Sequence, residues 1–170
     1  MNIRYLNLFL CVSVIVNLSY AQYSQPNIIL LLSDDQSWQE SSVAMHPDIE
    51  DSKNSFYETP YLEELAAQGM RFSSAYAPAS VCAATRISLQ TGRSPAALHW
   101  CKAGPSLKGS QGTKLIPASN RRDILVDEIT IAEVLKQAGY TTAHYGKWHL
   151  DGDGPESHGY DVSDGNLGNE

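Results

Sequence analysis

Three short polar clusters in this 170-residue chain hold side chains that can do chemistry. Asp34 and Asp35 follow closely on an apolar run at residues 28–32. Adjacent carboxylates repel each other, and a hard divalent cation relieves the repulsion because Ca2+ and Mg2+ prefer oxygen ligands. A solvated turn, with one Asp capping a backbone amide, is the other reading. The second cluster is Cys82-Ala83-Ala84-Thr85-Arg86, continued by Leu89-Gln90-Thr91-Gly92-Arg93. A helix that starts near Cys82 offers free N–H groups and a dipole that favour an anion there, and thiolate over thiol. Arg86 lies four residues on, on the same helical face, and sets a fixed positive charge beside position 82. A buried structural cysteine, or one half of a Cys82–Cys101 bridge, is the alternative. The third cluster is Gly146-Lys147-Trp148-His149. An extended chain here points Lys147 and His149 to one side. Lysine gives an anion a point charge, and histidine transfers a proton near neutrality. A surface lysine beside a histidine bonded to backbone is the plainer reading. Taken together, the clusters fit transfer of an anionic group through a covalent intermediate.

Elements must bring these clusters together. Residues 28–32 read as a strand buried on both faces, as in a parallel sheet. Residues 36–58 read as a loop. Thr59 and Pro60 open a helix, with Leu62, Leu65 and Ala66 sharing one face and Gly69 at its end. Residues 70–76 read as a strand, 77–81 as a turn and 82–91 as a short helix. Residues 92–125 read as a long loop. Thr130 and Glu133 match a capping box, with Ile131, Val134, Leu135 and Ala138 as the buried face and Gly139 as the stop. Residues 140–145 read as the next strand, and 152–170 carry no closing element. This alternation predicts an α/β fold with a mostly parallel sheet flanked by helices. In such sheets the functional site lies outside the carboxyl ends of the strands, where all three clusters fall.

Composition narrows the partners. Hydrophobic residues make up 42% and charged residues 18%, a globular balance. The net charge of −7 argues against nucleic acid, whose phosphates need a basic footprint. A few cations inside one cleft still suit a small anion. Residues 1–21 match a secretory signal peptide: Arg4, an apolar stretch over 6–18, then Ser19-Tyr20-Ala21. The stretch is short for a bilayer span, and an N-terminal anchor is the alternative. The expected location is periplasmic or extracellular, with no membrane attachment after cleavage. Cys82 and Cys101 are the cysteines left after cleavage, which raises a disulfide between them.

From about Pro26 to Tyr160 the chain resembles the type I, formylglycine-dependent sulfatases of the alkaline phosphatase superfamily. Residues 82–86 with Leu89, Thr91, Gly92 and Arg93 resemble the signature Cys-x-Pro/Ala-x-Arg with its Leu-x-Thr-Gly-Arg tail. Residues 146–150 resemble the second family signature, and 27–35 the first strand and metal turn. Ala84 and Thr85 stand where Pro and Ser are commoner, and Asp151 stands where Gly is usual. The resemblance implies hydrolysis of sulfate esters, carbohydrate sulfates foremost, by a formylglycine hydrate made from Cys82 by a maturation enzyme. It implies Ca2+, rather than Mg2+, on Asp34, Asp35 and the hydrate at position 82. Arg86 would steady the formylglycine, and Lys147 and His149 would hold sulfate and hydrate oxygens. A phosphatase or phosphonate monoester hydrolase of the same superfamily is a second implication. A non-catalytic exported domain with a Cys82–Cys101 disulfide is a third. Two carboxylates cannot fill the ~6–8 oxygen positions of a Ca2+ shell. Residues 22–170 are therefore expected to be the N-terminal part of a longer catalytic domain, inactive alone.

Overall fold

In the computed structural model, the described residues are 25–102, 114–115, 118–121 and 123–166. The expected signal segment at 1–21 lies outside them. The chain divides into two compact units, residues 1–33 and 34–170. In the first, residues 25–33 form no helix or strand. Ile28, Ile29, Leu30, Leu31 and Leu32 are all exposed, so the buried strand expected there is absent. Residues 70–76 also form no strand, and Met70, Phe72 and Tyr76 are exposed. Apolar, β-compatible composition is not enough, because a strand exists through hydrogen bonds to a neighbour. Among the described residues only two segments pair.

The second unit holds three α-helices. Helix α1 spans Pro60–Gln68 and starts with proline in its first turn, as expected. The Thr59 hydroxyl does not cap it. That hydroxyl meets Ser42 instead, accepting from its N–H at 3.0 Å and sharing a hydrogen with its Oγ at 2.7 Å. No residue of α1 is buried. Leu62, Leu65 and Ala66 line an open apolar groove of about 530 Å³ with Val43, Met45, Met70 and Phe72.

Helix α2 spans Cys82–Thr91, as the sequence predicts. Its entry is pinned by the Thr85 hydroxyl, which donates to Ala79 O at 2.6 Å. Its exit is Gly92 at φ 66°, whose N–H returns to Ser88 O at 2.8 Å. Only glycine reaches that left-handed conformation at little cost. Ala83, Ala84 and Ile87 of α2 are buried with Leu98, Trp100, Ile124, Trp148 and Leu150. This is the core. The stretch expected to be a long loop, 92–125, therefore contributes three of its members, Leu98, Trp100 and Ile124.

Helix α3 spans Ile131–Gln137. Its capping box forms: Glu133 N–H donates to Thr130 Oγ1 at 3.3 Å, and Thr130 N–H to Glu133 Oε2 at 2.7 Å. The buried face is not the expected one. Ile131 and Val134 are exposed, and Ala132 is buried. The reason is that α3 is tied through its first turn, where the buried Thr130 hydroxyl donates to His158 O at 2.7 Å. Strand β1 covers only Ala143–His144 of the predicted 140–145. It pairs in parallel with β2, Val162–Ser163, with Ala143 opposite Val162 and His144 opposite Ser163. A 3-10 turn at Pro155–His158 precedes β2. Both lie in the tail expected to have no element. The result is an α/β arrangement with a small parallel sheet. No helix among the described residues is long and apolar enough to cross a membrane.

Thr130→Ala removes both the cap and the bond to His158 O. It should lower unfolding stability by about 1–2 kcal/mol in urea titrations, with Thr130→Ser recovering most of the loss.

Candidate functional site

Asp34 is the meeting point of the predicted clusters. Its Oδ1 lies 3.3 Å from Arg86 Nη2, and its Oδ2 lies 2.8 Å from Lys147 Nζ. Arg86 stands one turn into α2, and its Nη1 also donates to the carbonyl of Lys147. One guanidinium thus ties the Asp34 turn and the Lys147 loop to the helix that begins at Cys82. The bond from Lys147 holds the Asp34 carboxyl below its ordinary range, and Arg86 adds to this against some opposing desolvation. Arg86 keeps one donor in reserve, since its Nε is buried without a hydrogen-bond partner among the described residues.

Lys147 and His149 belong to the loop that follows β1. The extended conformation expected at 147–149 does not occur. His149 has φ 57°, and Asp151 and Asp153 are also left-handed at 48° and 62°. Aspartate tolerates this region better than most residues, which accounts for Asp151 at a position where glycine is usual. The loop is held by its own bonds. Trp148 Nε1 donates to Asp151 O at 2.9 Å, Gly154 N–H to Asp151 O at 3.3 Å, and Gly146 N–H to Asp164 Oδ2 at 2.7 Å. Partial burial pushes the His149 pKa down, and the positive charges of Lys147 and Arg86 push it the same way. The imidazole is therefore neutral at pH 7. Its Nδ1 is buried without a hydrogen-bond partner among the described residues.

Cys82 is the first residue of α2 and is partly buried. Asp35 is exposed at φ 53°. Among the described residues, neither side chain bonds to the Asp34–Arg86–Lys147 group. Cys82 and Cys101 are both free, so the bridge between them is not formed. Cys101 is exposed, with its N–H on Asn120 Oδ1 at 2.6 Å.

For a divalent cation the donor chemistry fits, because Asp34 and Asp35 are hard oxygen donors on one exposed turn. Their number is short of a shell. Among the described residues no group of three or more His, Cys, Asp or Glu side chains gathers to hold a metal.

The sequence did not single out the supports of this site: Trp148, Asp164, His158 and the Tyr160–Gln90 hydrogen bond at 2.9 Å. A usable signal for some of them is the density of Gly and Asp over 146–154, which marks backbone needing left-handed residues.

A family model described as Sulfatase matches residues 26–170. Arylsulfatase A of Homo sapiens is 38% identical over 131 residues, 77% of this chain and 22% of the relative. Arylsulfatase G of Mus musculus is 36% identical over 140 residues, 81% of this chain and 23% of the relative. N-acetylgalactosamine-6-sulfatase of Mus musculus is 34% identical over 151 residues, 89% of this chain and 26% of the relative. The chain spans about a quarter of the length of these relatives.

The lowered Asp34 pKa contributes stability that is present above the unfolded carboxyl value. It is lost as pH falls through the folded value. Lys147→Met should raise the Asp34 pKa towards the ordinary range in a carboxyl 13C NMR titration. It should also flatten the acid limb of the stability profile.

Proposed function

The chain belongs to the sulfatase family, and on that premise we propose that it carries the nucleophile-bearing part of an enzyme that hydrolyses sulfate esters, carbohydrate sulfates foremost. The single observation that supports this most is the convergence of Arg86 and Lys147 on Asp34, beside the helix that starts at Cys82. Two cations against one carboxylate leave local positive charge inside an acidic chain, the condition for drawing in a small anion.

Cys82 would be the residue oxidised to formylglycine by a maturation enzyme, and the hydrated aldehyde would supply the attacking oxygen. Asp34 and Asp35, with the modified residue 82, would hold Ca2+, which when bound adds positive charge where the sulfuryl oxygens gain negative charge. The chain's own residues do the rest. Arg86 is fixed by Asp34 and by the Lys147 carbonyl, so its guanidinium charge is held in place for an anionic oxygen. The Lys147 ammonium is held at one Asp34 oxygen and has two further N–H donors for a sulfate oxygen. His149, kept neutral by burial and the neighbouring cations, can donate one hydrogen bond and accept one proton. Donors held in place before the anion arrives need little reorganisation as charge develops. Export to the periplasm or outside the cell completes this reading, since residues 1–21 have the composition of a signal peptide.

Produced with a formylglycine-generating enzyme, the chain should lose the sulfur of residue 82, read by peptide mass. A thiol retained there in every molecule overturns the proposal. In the enzyme assayed on matched aryl sulfate and aryl phosphate, Cys82→Ala should lower turnover by ~10³-fold or more. The sulfate should be the faster substrate, and a faster phosphate reverses the assignment.

A further inference from the structure

The loop that presents Lys147 and His149 is costly to hold. Gly146, His149, Asp151, Gly152, Asp153 and Gly154 all have positive φ, and three of these are not glycine. Such conformations persist only where surrounding contacts over-determine them. Trp148 and Leu150 anchor the first half in the core. Ile124 N–H reaches Leu150 O at 2.9 Å, and the Trp148 indole N–H closes onto Asp151 O. The second half, from Gly152, is tied to the first by a side-chain hydrogen bond from outside the loop.

That side chain is His158, which is 1% exposed. Its ring stacks on Trp148 with centroids 5.9 Å apart and planes 26° from parallel. Its Nε2 lies 2.8 Å from Gly152 O. A carbonyl can only accept, so Nε2–H is the donor of this bond. Nδ1 is buried with no hydrogen-bond partner among the described residues. The stack and the hydrogen bond of the imidazole are thus both to the loop. Its own backbone is fixed in turn, because His158 O accepts from the buried Thr130 hydroxyl of the α3 cap. There is also no room to drift at Gly152, where an added Cβ would stand 2.7 Å from Ile124 O and 3.0 Å from His158 Nε2.

We propose that His158 is the positioning residue of this loop: one imidazole braces Trp148 by stacking and Gly152 by a hydrogen bond, and so sets where Lys147 and His149 stand. The role of those two residues in holding sulfate rests on the reading given under Proposed function; the brace itself does not.

The test uses three variants of the chain and two readouts. His158→Phe keeps the stacked ring and removes the donor. His158→Gln keeps an N–H donor and removes the ring. Trp100→Phe is a control elsewhere in the core. Hydrogen exchange of the Trp148 indole N–H is followed by NMR against amides of α3, and inorganic sulfate binding is measured on the same samples. In His158→Phe the indole N–H should exchange about tenfold faster or more while α3 amides keep their wild-type rates. The sulfate dissociation constant should rise about tenfold, and His158→Gln should recover part of both losses. The Trp100 variant should move indole and α3 exchange together. Exchange that stays unchanged in both His158 variants, or rises equally at α3, overturns the brace. If the wild-type chain binds no sulfate while the exchange pattern appears, the brace stands and the sulfate-holding role of Lys147 and His149 in this chain falls.

Discussion

One carboxylate organises this molecule's chemistry. Asp34 takes a guanidinium on one oxygen and an ammonium on the other, from residues 52 and 113 positions away in the sequence. Three segments with no local reason to meet are held at one point. The arrangement also leaves local positive charge inside a chain of net charge −7. Arg86 is only 11% exposed, and a cation at that depth must be paired. Pairing it with a carboxylate that is itself shared leaves charge over. A one-to-one pair would have been neutral and of no use to an incoming anion.

The cysteine-containing motif divides into residues that face the site and residues that build the helix. Arg86 belongs to the first kind, and Cys82 lies one turn before it at the start of the helix. Ala83 and Ala84 are fully buried, where a larger side chain has no space. Thr85 anchors the turn before the helix with its hydroxyl. Serine could make the same bond, so threonine at this position keeps the function of the commoner residue. Thr91 bonds back to Ile87 O at 2.8 Å, Gly92 turns the chain, and Arg93 reaches Glu128, which also takes Arg121 at 3.0 Å. Much of what looks like a catalytic signature is the specification of a short helix with fixed ends.

This division explains what was legible in the sequence. Helix α2 and the capping box of α3 were read to the residue or nearly so, because caps, stops and i to i+4 faces are local. The convergence of Asp34, Arg86 and Lys147 could be anticipated from motif order, since each motif carries its own charge type. The strands could not be read well. Residues 28–32 and 70–76 have strand composition, yet a strand is a relation between two segments, and composition describes one. The buried face of α3 was misread for a similar reason. Periodicity pointed to Ile131 and Val134, while a hydrogen bond from Thr130 to His158, 28 residues away, chose the side that packs. Leu98 and Trp100 went unnoticed because they sit in a stretch with no periodicity at all.

The loop after β1 shows why the site needs support far from the chemistry. A lysine on an ordinary flexible loop would pay side-chain and backbone entropy each time it met an anion. Here the backbone is forced into left-handed steps at His149, Asp151 and Asp153, which few sequences tolerate, and that narrows its alternatives. Strain of this kind is useful only if something stronger opposes its release. The opposition comes from two directions. Trp148 and Leu150 are buried under the helix that bears Arg86, so the loop cannot lift without opening the core. Beyond Gly152 the imidazole of His158 closes the other side, fixed to the capping residue of α3. A helix cap, a buried imidazole, a strained loop and a lysine therefore form one mechanical series that ends at Asp34. Its logic is that precision at the charged end is set by satisfied hydrogen bonds at the buried end, where water cannot compete for them.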